Sequence, residues 1–196
     1  MVHKFIGFLC LLVIGCAPSN NYSLKVSQDQ ADKSAAFLHP EKSPLTVDEI
    51  QTFKGLHFFE PNEQFKVQAV ITWLPQIGYV DIPQTGGDII GYMQTAVLDF
   101  SIDRKSFQLP AYQTDEMKRN RTLFIPFTDL TNGKETYSGG RYIDLPYNDH
   151  HKEVLLDFNY SYIPYCAYTS RYSCPKVPRE NHLDMDITAG ERMVIE

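Results

Sequence analysis

Short segments of alternating apolar and polar residues, separated by turn-forming residues, fill the chain from residue 65 onward. In FKVQAVIT, residues 65–72, every second position from Phe65 is apolar, which is the period of a strand with one buried face. Glycine, proline and Asn-Gly steps divide the segments that follow: IGYVDI, IIGYMQTAVLDF, SFQLPAY, RTLFIPF, KETYSGGRYIDL, KEVLLDFNYSY and HLDMDIT. Many short strands at even spacing are typical of antiparallel sheets. The sequence therefore predicts a mainly β fold, an antiparallel β-sandwich or barrel-like domain.

Two short helices are predicted before the strands. SQDQADKSAAFL, from Ser27, has good helix propensity and an apolar end. In SPLTVDEIQTFKGL, Thr46 and Glu49 have the spacing of a capping box, and Gly55 stands where a helix ends. Further along, Asn132-Gly133 predicts a tight hairpin turn, because both residues tolerate positive φ.

The N-terminal residues predict where the protein is located. Lys4 precedes the apolar segment FIGFLCLLVIG, then Cys16 and the polar segment APSNNYS. The apolar segment is shorter than the roughly 20 residues of a spanning helix, which favours a secretory signal. The segment Val13-Ile14-Gly15-Cys16 resembles the lipobox of bacterial lipoproteins, in which a diacylglycerol is attached to the cysteine sulfur and the chain is cut before it. The alternatives are an ordinary cleaved secretory signal, or an apolar N-terminal helix in which Cys16 is incidental.

These features predict three regions. Residues 1–15 are a lipoprotein signal peptide, residues 16–27 are a flexible tether that begins at the lipidated Cys16, and residues 28–196 form a single β-rich domain. The predicted location is the cell envelope, on the inner or outer membrane and facing the periplasm. The membrane is then a partner through Cys16. The net charge of −6 and the lack of a basic patch argue against nucleic-acid binding.

Of the four cysteines, Cys166 and Cys174 remain in the mature domain once Cys10 is removed and Cys16 is lipidated. Two thiols this close in sequence most often pair in an oxidising compartment, so a disulfide is expected. A redox role and a zinc site are weaker alternatives, because the spacing differs from Cys-x-x-Cys and two further ligands are not evident.

Several segments resemble a known family. LHFFEPNEQFKVQAV, LFIPFTDLTNGKETYSGGRYIDL and LLDFNYSYIPYCAYTSRYSCPKVPRENHLDMDITAGE are similar to the bacterial and archaeal proteins grouped as domain of unknown function 1684. The resemblance runs from about Phe37 to Glu191. Members have no assigned activity, so it implies kinship and leaves function open. Some members lack an export signal, which leaves open whether the counterparts of Cys166 and Cys174 are always oxidised.

Polar residues lie among aromatic and strand-forming neighbours in the second half of the chain. A strand through KETYSGGRY would place Glu135 and Tyr137 on one face, and Gly139-Gly140 would allow a kink before Arg141. The Arg141 guanidinium would pair with Asp157, with Glu135 or with an anionic ligand. In one interpretation these groups only pair with each other inside the fold. In the other, a tyrosine-lined pocket binds a small polar ligand; its candidate residues are Arg141, Tyr137, Tyr142, Asn159, Tyr160, Tyr162, Glu180 and Asn181.

Two functions are compatible with these residues. The first is a non-enzymatic, lipid-anchored envelope protein that binds a small ligand or a protein partner, with the proline- and tyrosine-rich loop 162–181 as its rim. The second is a hydrolase-like enzyme in which Glu135 and Asp157 transfer protons and Arg141 stabilises charge. DHHKE at 149–153 favours a solvated turn over a metal site, and no cofactor-binding motif occurs, so neither metal nor cofactor is expected.

Overall fold

The computed structural model describes residues 21–75, 78–148 and 151–193. The predicted signal peptide, the predicted lipidation site Cys16 and the first part of the predicted tether lie outside these residues, as does part of the DHHKE segment. In the part of the chain that the structure describes, none of the helices has the length and apolar character needed to cross a membrane.

Three α-helices are described: α1 (Asn21–Phe37), α2 (Val47–Thr52) and α3 (Asp115–Arg119). The predicted capping box of α2 is confirmed, since Glu49 N donates to Thr46 Oγ1 at 3.2 Å and Thr46 N donates to Glu49 Oε2 at 2.7 Å. The tether prediction is wrong for residues 21–27, which belong to α1. Tertiary contacts order this part of the helix, because Tyr22 OH donates to the Asp157 carboxylate and Val26 is fully buried.

Most of the strands are short, as the sequence predicts, and β4 is the longest of those described. Their bounds are β1 (His57–Phe58), β2 (Lys66–Trp73), β3 (Tyr79–Pro83), β4 (Ile89–Ile102), β5 (Lys105–Gln113), β6 (Thr122–Asp129), β7 (Arg141–Pro146), β8 (Glu153–Asp157), β9 (His182–Leu183) and β10 (Glu191–Arg192). The main sheet has the order β7-β6-β5-β4-β2-β8, with β3 paired to β4 and β9 paired to β6. It curls into an antiparallel half-barrel, which confirms the mainly β, barrel-like prediction. Among the strands that the structure describes, β9 is the exception, because it pairs with β6 in parallel.

The main hydrophobic core fills one face of this sheet. Leu98, Leu109, Leu123 and Ile125 are inaccessible to solvent, and Phe127 packs edge-on against Phe158 with ring centroids 5.3 Å apart. The opposite face of β4, β6 and β7 carries a second, smaller aromatic cluster. Because side chains alternate along a strand, neighbouring residues of β7 belong to different clusters.

The β5–β6 junction is held in an unusual way. These strands are registered only at Tyr112↔Phe124, and each contains a proline that lacks an N–H donor. Asn181 bridges the gap from the following loop, because its Nδ2 donates to Pro110 O at 2.9 Å and to Pro126 O at 2.7 Å. A buried amide side chain therefore supplies contacts that the backbone ladder does not.

The segment KETYSGG is not a strand, which corrects the sequence prediction. β6 and β7 are paired from Phe127↔Arg141, so a loop of residues 130–140 replaces the expected two-residue turn. Asn132 explains the difference: its Oδ1 accepts from Asp129 N at 2.6 Å and its Nδ2 donates to Tyr137 O at 2.9 Å. Such local side-chain bonds compete with a strand ladder. The predicted kink is present, since Gly140 has φ +95° and a Cβ there would lie 2.6 Å from Phe127 O.

Candidate functional site

Arg141 is a core residue and does not face a pocket. Its side chain is inaccessible to solvent, and its Nη2 lies 2.9 Å from Asp129 Oδ2 and 2.7 Å from Ile187 O. Its Nη1 donates to Glu191 O at 3.2 Å and to Ala189 O. Burial lowers the pKa of the guanidinium, and the Asp129 carboxylate opposes that effect. The prediction that Arg141 pairs with Glu135 or Asp157 is wrong, because the carboxylate that pairs with it is that of Asp129.

The three predicted catalytic residues do not meet. Glu135 lies half-exposed in the 130–140 loop, where its Oε1 is 3.9 Å from Arg192 Nη2. Asp157 accepts from Tyr22 OH at 2.7 Å and, through Oδ1, from Asn159 N at 3.0 Å. Each group therefore serves a separate local interaction, and the shared site that the hydrolase hypothesis needs does not form.

Three of the predicted ligand-binding residues are engaged within the fold. Asn159 is buried and exchanges two 2.8 Å hydrogen bonds with the backbone of Asn62. Asn181 joins β5 to β6 as described above, and its Oδ1 accepts from Tyr112 OH at 3.2 Å. Glu180 is exposed and accepts from the same hydroxyl at 3.2 Å. The polar groups of these three residues therefore have partners within the fold.

A pocket does form over the smaller cluster, and we call it the aromatic pocket. It encloses about 530 Å³ between α1, the outer face of β4, β6 and β7, and the segments 160–165 and 174–175. Six aromatic residues line it: Tyr92, Phe124, Tyr142, Tyr160, Tyr162 and Tyr165. Tyr142 and Asp144 reach it because alternate residues of β7 point away from the main core.

Four of these rings form a continuous wall. Ring centroids lie 5.9 Å apart for Tyr92 and Phe124, 4.8 Å for Phe124 and Tyr142, and 5.7 Å for Tyr142 and Tyr162. The Tyr142 hydroxyl donates to the carbonyl oxygen of Pro175. Burial raises the pKa of both the Tyr142 and Tyr162 phenols above the ordinary value, so the wall is uncharged at neutral pH.

Charged groups lie at one side of the wall. Asp144 Oδ2 accepts a hydrogen bond from Tyr162 OH at 2.9 Å. The Asp144 side chain keeps contact with solvent, but partial loss of hydration at the pocket mouth raises the pKa of its carboxyl. Lys33 of α1 lies 2.6 Å from Glu191 Oε1, and its Nζ is 4.7 Å from the centroid of the Tyr162 ring. The Lys33 side chain is 34% exposed and that of Glu191 is 1% exposed, so the ion pair connects the pocket to the protein interior.

A second cavity of about 370 Å³ adjoins the aromatic pocket and shares Tyr142, Pro164 and Pro175 with it. Tyr137 lines this second cavity, whereas Tyr142, Tyr160 and Tyr162 line the first. The predicted set of tyrosines is therefore divided between two adjacent cavities. A broader depression of about 1050 Å³ crosses β2, β4 and β5, but it contains none of the predicted residues.

The cysteine pair separates the two cavities. Cys174 lines the aromatic pocket and Cys166 lines the second cavity, and Cys166 N donates to Cys174 Sγ at 3.3 Å. The loop thus brings the residues together as expected, but both are free thiols, so the predicted disulfide is not present in the structure. Bond formation needs an oxidant as well as proximity. Burial raises the pKa of the Cys174 thiol to about 12, which makes it a weak nucleophile at neutral pH.

Several pocket residues were not predicted from the sequence. Asp144 had a usable signal, because in RYIDLP it stands two positions from Tyr142 and so shares its face. Lys33 gave no such signal, because α1 packs against residues far away in sequence, as in the hydrogen bond from Tyr22 OH to Asp157 and the contact of Lys33 Nζ with the Tyr162 ring. Within the described residues, no group of three or more His, Cys, Asp or Glu side chains is placed to hold a metal ion.

Comparison with known proteins gives the following matches. Residues 51–192 match a family model described as a protein of unknown function, DUF1684. The solution NMR structure of an uncharacterized protein from Haloarcula marismortui is 35% identical, with a TM-score of 0.66; the match covers 88% of this chain and 94% of that one. A comparison with curated proteins finds no match. Lys33 and the rest of α1 precede the residues that the family model matches.

Proposed function

We propose that this chain, which belongs to the DUF1684 family, is a lipid-anchored binding protein of the cell envelope that takes a small molecule into the aromatic pocket. One observation carries the proposal: six aromatic rings surround an open volume of about 530 Å³. Pockets for small ligands commonly have volumes of about 300–1,000 Å³ and mostly apolar walls with a few polar groups. A ligand that covers these rings gains roughly 25 cal/mol for each Å² of apolar surface removed from water.

The chemistry of the pocket favours binding over catalysis. Its buried phenols and the Cys174 thiol are protonated at neutral pH, because burial raises the pKa of each group. Asp144 receives a hydrogen bond from Tyr162 rather than from a histidine or a serine nucleophile. The pair needed for nucleophilic catalysis, an activated nucleophile beside its base, is therefore not provided by these residues.

The membrane anchor is part of the proposal and rests on the lipobox-like segment that ends at Cys16. Four residues, 17–20, separate Cys16 from Asn21 at the start of α1, and the steps from Cys16 to Asn21 reach at most about 18 Å when extended. From Asn21, α1 rises about 18 Å to reach Lys33 at the pocket. A lipid on Cys16 would thus hold the aromatic pocket within roughly 40 Å of the bilayer surface, on the periplasmic side.

We include the Cys166–Cys174 disulfide in the exported form. A disulfide-bearing oxidant of the envelope would accept two electrons and two protons from the two thiols as the sulfur–sulfur bond forms. The bond would fix the wall that the two cavities share. On the chain-entropy estimate, closing this short loop stabilises the fold by about 2–3 kcal/mol.

Native mass spectrometry of the exported protein tests the binding role. We expect a retained small molecule in the wild-type protein and in Ser101→Trp, which fills part of the broader depression. Met117→Trp adds the same side chain to the aromatic pocket and should remove the retained mass. Equal retention by both variants would place the ligand elsewhere, and a mass free of ligand in all three proteins would count against the proposal.

A further inference from the structure

The wall of the aromatic pocket has the electrostatic character of a cation site. The face of an aromatic ring is negative because of its quadrupole, and it attracts an ammonium group within about 6 Å of the ring centroid. Tyr92, Phe124, Tyr142 and Tyr162 form a continuous series of such rings along one side of the pocket. A neutral ligand would use only their apolar area, whereas a cation would use the ring faces as well.

The protein already places one ammonium group on this wall. Lys33 Nζ lies 4.7 Å from the centroid of the Tyr162 ring, so the geometry of that face is suited to a cation. The charge of Lys33 is matched by Glu191, whose Oε1 is 2.6 Å away. This pair therefore adds little net charge to the pocket, and an incoming ligand meets the remaining groups.

Asp144 is the residue that makes the net charge of the pocket negative. Its carboxylate lies at the mouth, and its hydrogen-bond donor is the neutral Tyr162 hydroxyl at 2.9 Å. Within residues 21–75, 78–148 and 151–193, no lysine or arginine nitrogen forms an ion pair with it. Asp29 adds a second carboxylate at this side, accepting from Tyr160 OH at 2.8 Å, although Lys25 pairs with it at 2.7 Å.

The count of charges leaves a negative excess. Around the pocket, the carboxylates of Asp29, Asp144 and Glu191 face the ammonium groups of Lys25 and Lys33. An anionic ligand would meet Asp144, and Lys33, which also lines the pocket, is already paired with Glu191. A ligand with an ammonium group would pair with Asp144 and cover the ring faces at once.

We infer that the ligand of the aromatic pocket is an organic cation, an amine or quaternary ammonium group carried on a small apolar body. The inference rests on the proposed function of that pocket and specifies its ligand class. Asp144 and the face of the ring wall recognise the charge, and the six rings bind the apolar body.

Three probes of similar size test the charge preference: benzyltrimethylammonium, its neutral tert-butyl isostere neopentylbenzene, and the anion phenylacetate. Titrations followed by NMR of the tyrosine rings give each affinity. We expect the cation to bind at least about tenfold more tightly than either of the others. Asp144→Asn should weaken the cation about three- to tenfold and leave the neutral probe unchanged. Asp99→Asn, the same substitution in the broader depression, should change neither.

The outcomes separate this inference from the proposed function. If the neutral isostere binds as tightly as the cation, if phenylacetate binds best, or if none of the three probes binds, the inference is overturned. The binding role itself is decided by the retained mass and its loss in Met117→Trp. A retained molecule that carries no positive charge would support the binding role and refute the ligand class.

Discussion

Arg141 Nη2 lies 2.9 Å from Asp129 Oδ2, and neither side chain is accessible to solvent. The same guanidinium also donates to the carbonyl oxygens of Ile187, Ala189 and Glu191. It therefore holds the C-terminal segment against the end of β6. A buried ion pair contributes little net stability by itself, but removing one partner leaves an uncompensated charge.

Replacement of Arg141 by lysine should destabilise the fold by about 2–4 kcal/mol. A lysine keeps the positive charge but cannot reach Asp129 and three carbonyl oxygens with one planar group. Urea-induced unfolding at pH 7 measures the change. Glu135→Gln is the matched control, because this half-exposed group is 3.9 Å from Arg192 and its loss should cost less than about 0.5 kcal/mol. If Arg141→Lys and Glu135→Gln destabilised the fold equally, Arg141 would contribute no more to stability than the half-exposed Glu135, and its structural role would be contradicted.

Replacement of Asn181 by alanine should destabilise the fold by about 1–3 kcal/mol, because the carbonyl oxygens of Pro110 and Pro126 lose their buried donor. The neighbouring Glu180→Ala removes an exposed group that also contacts Tyr112, and we expect a change below about 0.5 kcal/mol. Denaturant unfolding of the two variants side by side makes the comparison. An Asn181→Ala protein as stable as Glu180→Ala would show that the β5–β6 junction does not depend on this amide.

The sequence predicted the parts of the fold that depend on local pattern. Alternation located the strands, and the Thr46/Glu49 spacing located the start of α2, because both features are set within a few residues. It failed where distant contacts decide. Residues 21–27 form helix because Tyr22 reaches Asp157. Arg141 pairs with Asp129 because the β6–β7 register sets Arg141 opposite Phe127, and Asp129 lies two residues further along on the same face of β6.

The candidate site shows the same division. Tyr142, Tyr160 and Tyr162 were predicted as pocket residues from their concentration in one region, and they line the aromatic pocket. The prediction that Arg141 lines the same pocket was wrong. Arg141 is adjacent to Tyr142 in β7, so strand alternation places its side chain on the opposite face, where it is buried. Lys33 lies far away in sequence and became a pocket residue only through the packing of α1.

The proposed lipid anchor on Cys16 predicts that a substitution of this residue changes where the protein is found in the cell. Cys16→Ser should release the protein from the membrane fraction of the native host, because a serine cannot accept the lipid and no other part of the proposal holds the domain to a bilayer. Cell fractionation followed by immunoblotting measures the distribution. Cys10→Ser is the control, since Cys10 lies in the predicted signal and is removed in either case. Continued membrane association of Cys16→Ser would contradict the anchor.

The cysteine pair predicts a redox-dependent stability. In protein isolated from the envelope, Cys166 and Cys174 should resist alkylation until a reductant is added, and reduction should lower the free energy of unfolding by about 2–3 kcal/mol. Intact-mass measurement after alkylation counts the reactive thiols. A double Cys166→Ser, Cys174→Ser variant should unfold identically with and without reductant. Alkylation of both thiols in the untreated protein would show that they remain free, as they are in the structure.

Binding of a permanently charged ammonium probe should weaken as the pH falls below neutral, because Asp144 must be ionised to pair with it. Loss of hydration raises the pKa of this carboxyl above its ordinary value of 3.8, so the loss of affinity begins at a higher pH than for an exposed aspartate. The Tyr162 hydroxyl and Lys33 of α1 both favour the ionised carboxylate, and Glu116 of α3 lines a small cavity together with Asp144. Tyr142 and Tyr162 stay neutral throughout, since burial raises the pKa of each phenol.

Ionisation of Asp144 has opposite effects on the two measurements: it strengthens binding of the ammonium probe and lowers the free energy of unfolding. A carboxyl whose pKa is raised by folding favours the folded state below its unfolded pKa, and this contribution is lost as the pH rises through the folded value. Asp144→Asn should therefore unfold at a slightly higher denaturant concentration than wild type at pH 7, with the difference shrinking toward pH 3.8. Its affinity for the probe should be low and independent of pH between 4 and 7, as titrations at several pH values would measure. A pH profile that Asp144→Asn shares with the wild-type protein would mean that another group controls binding.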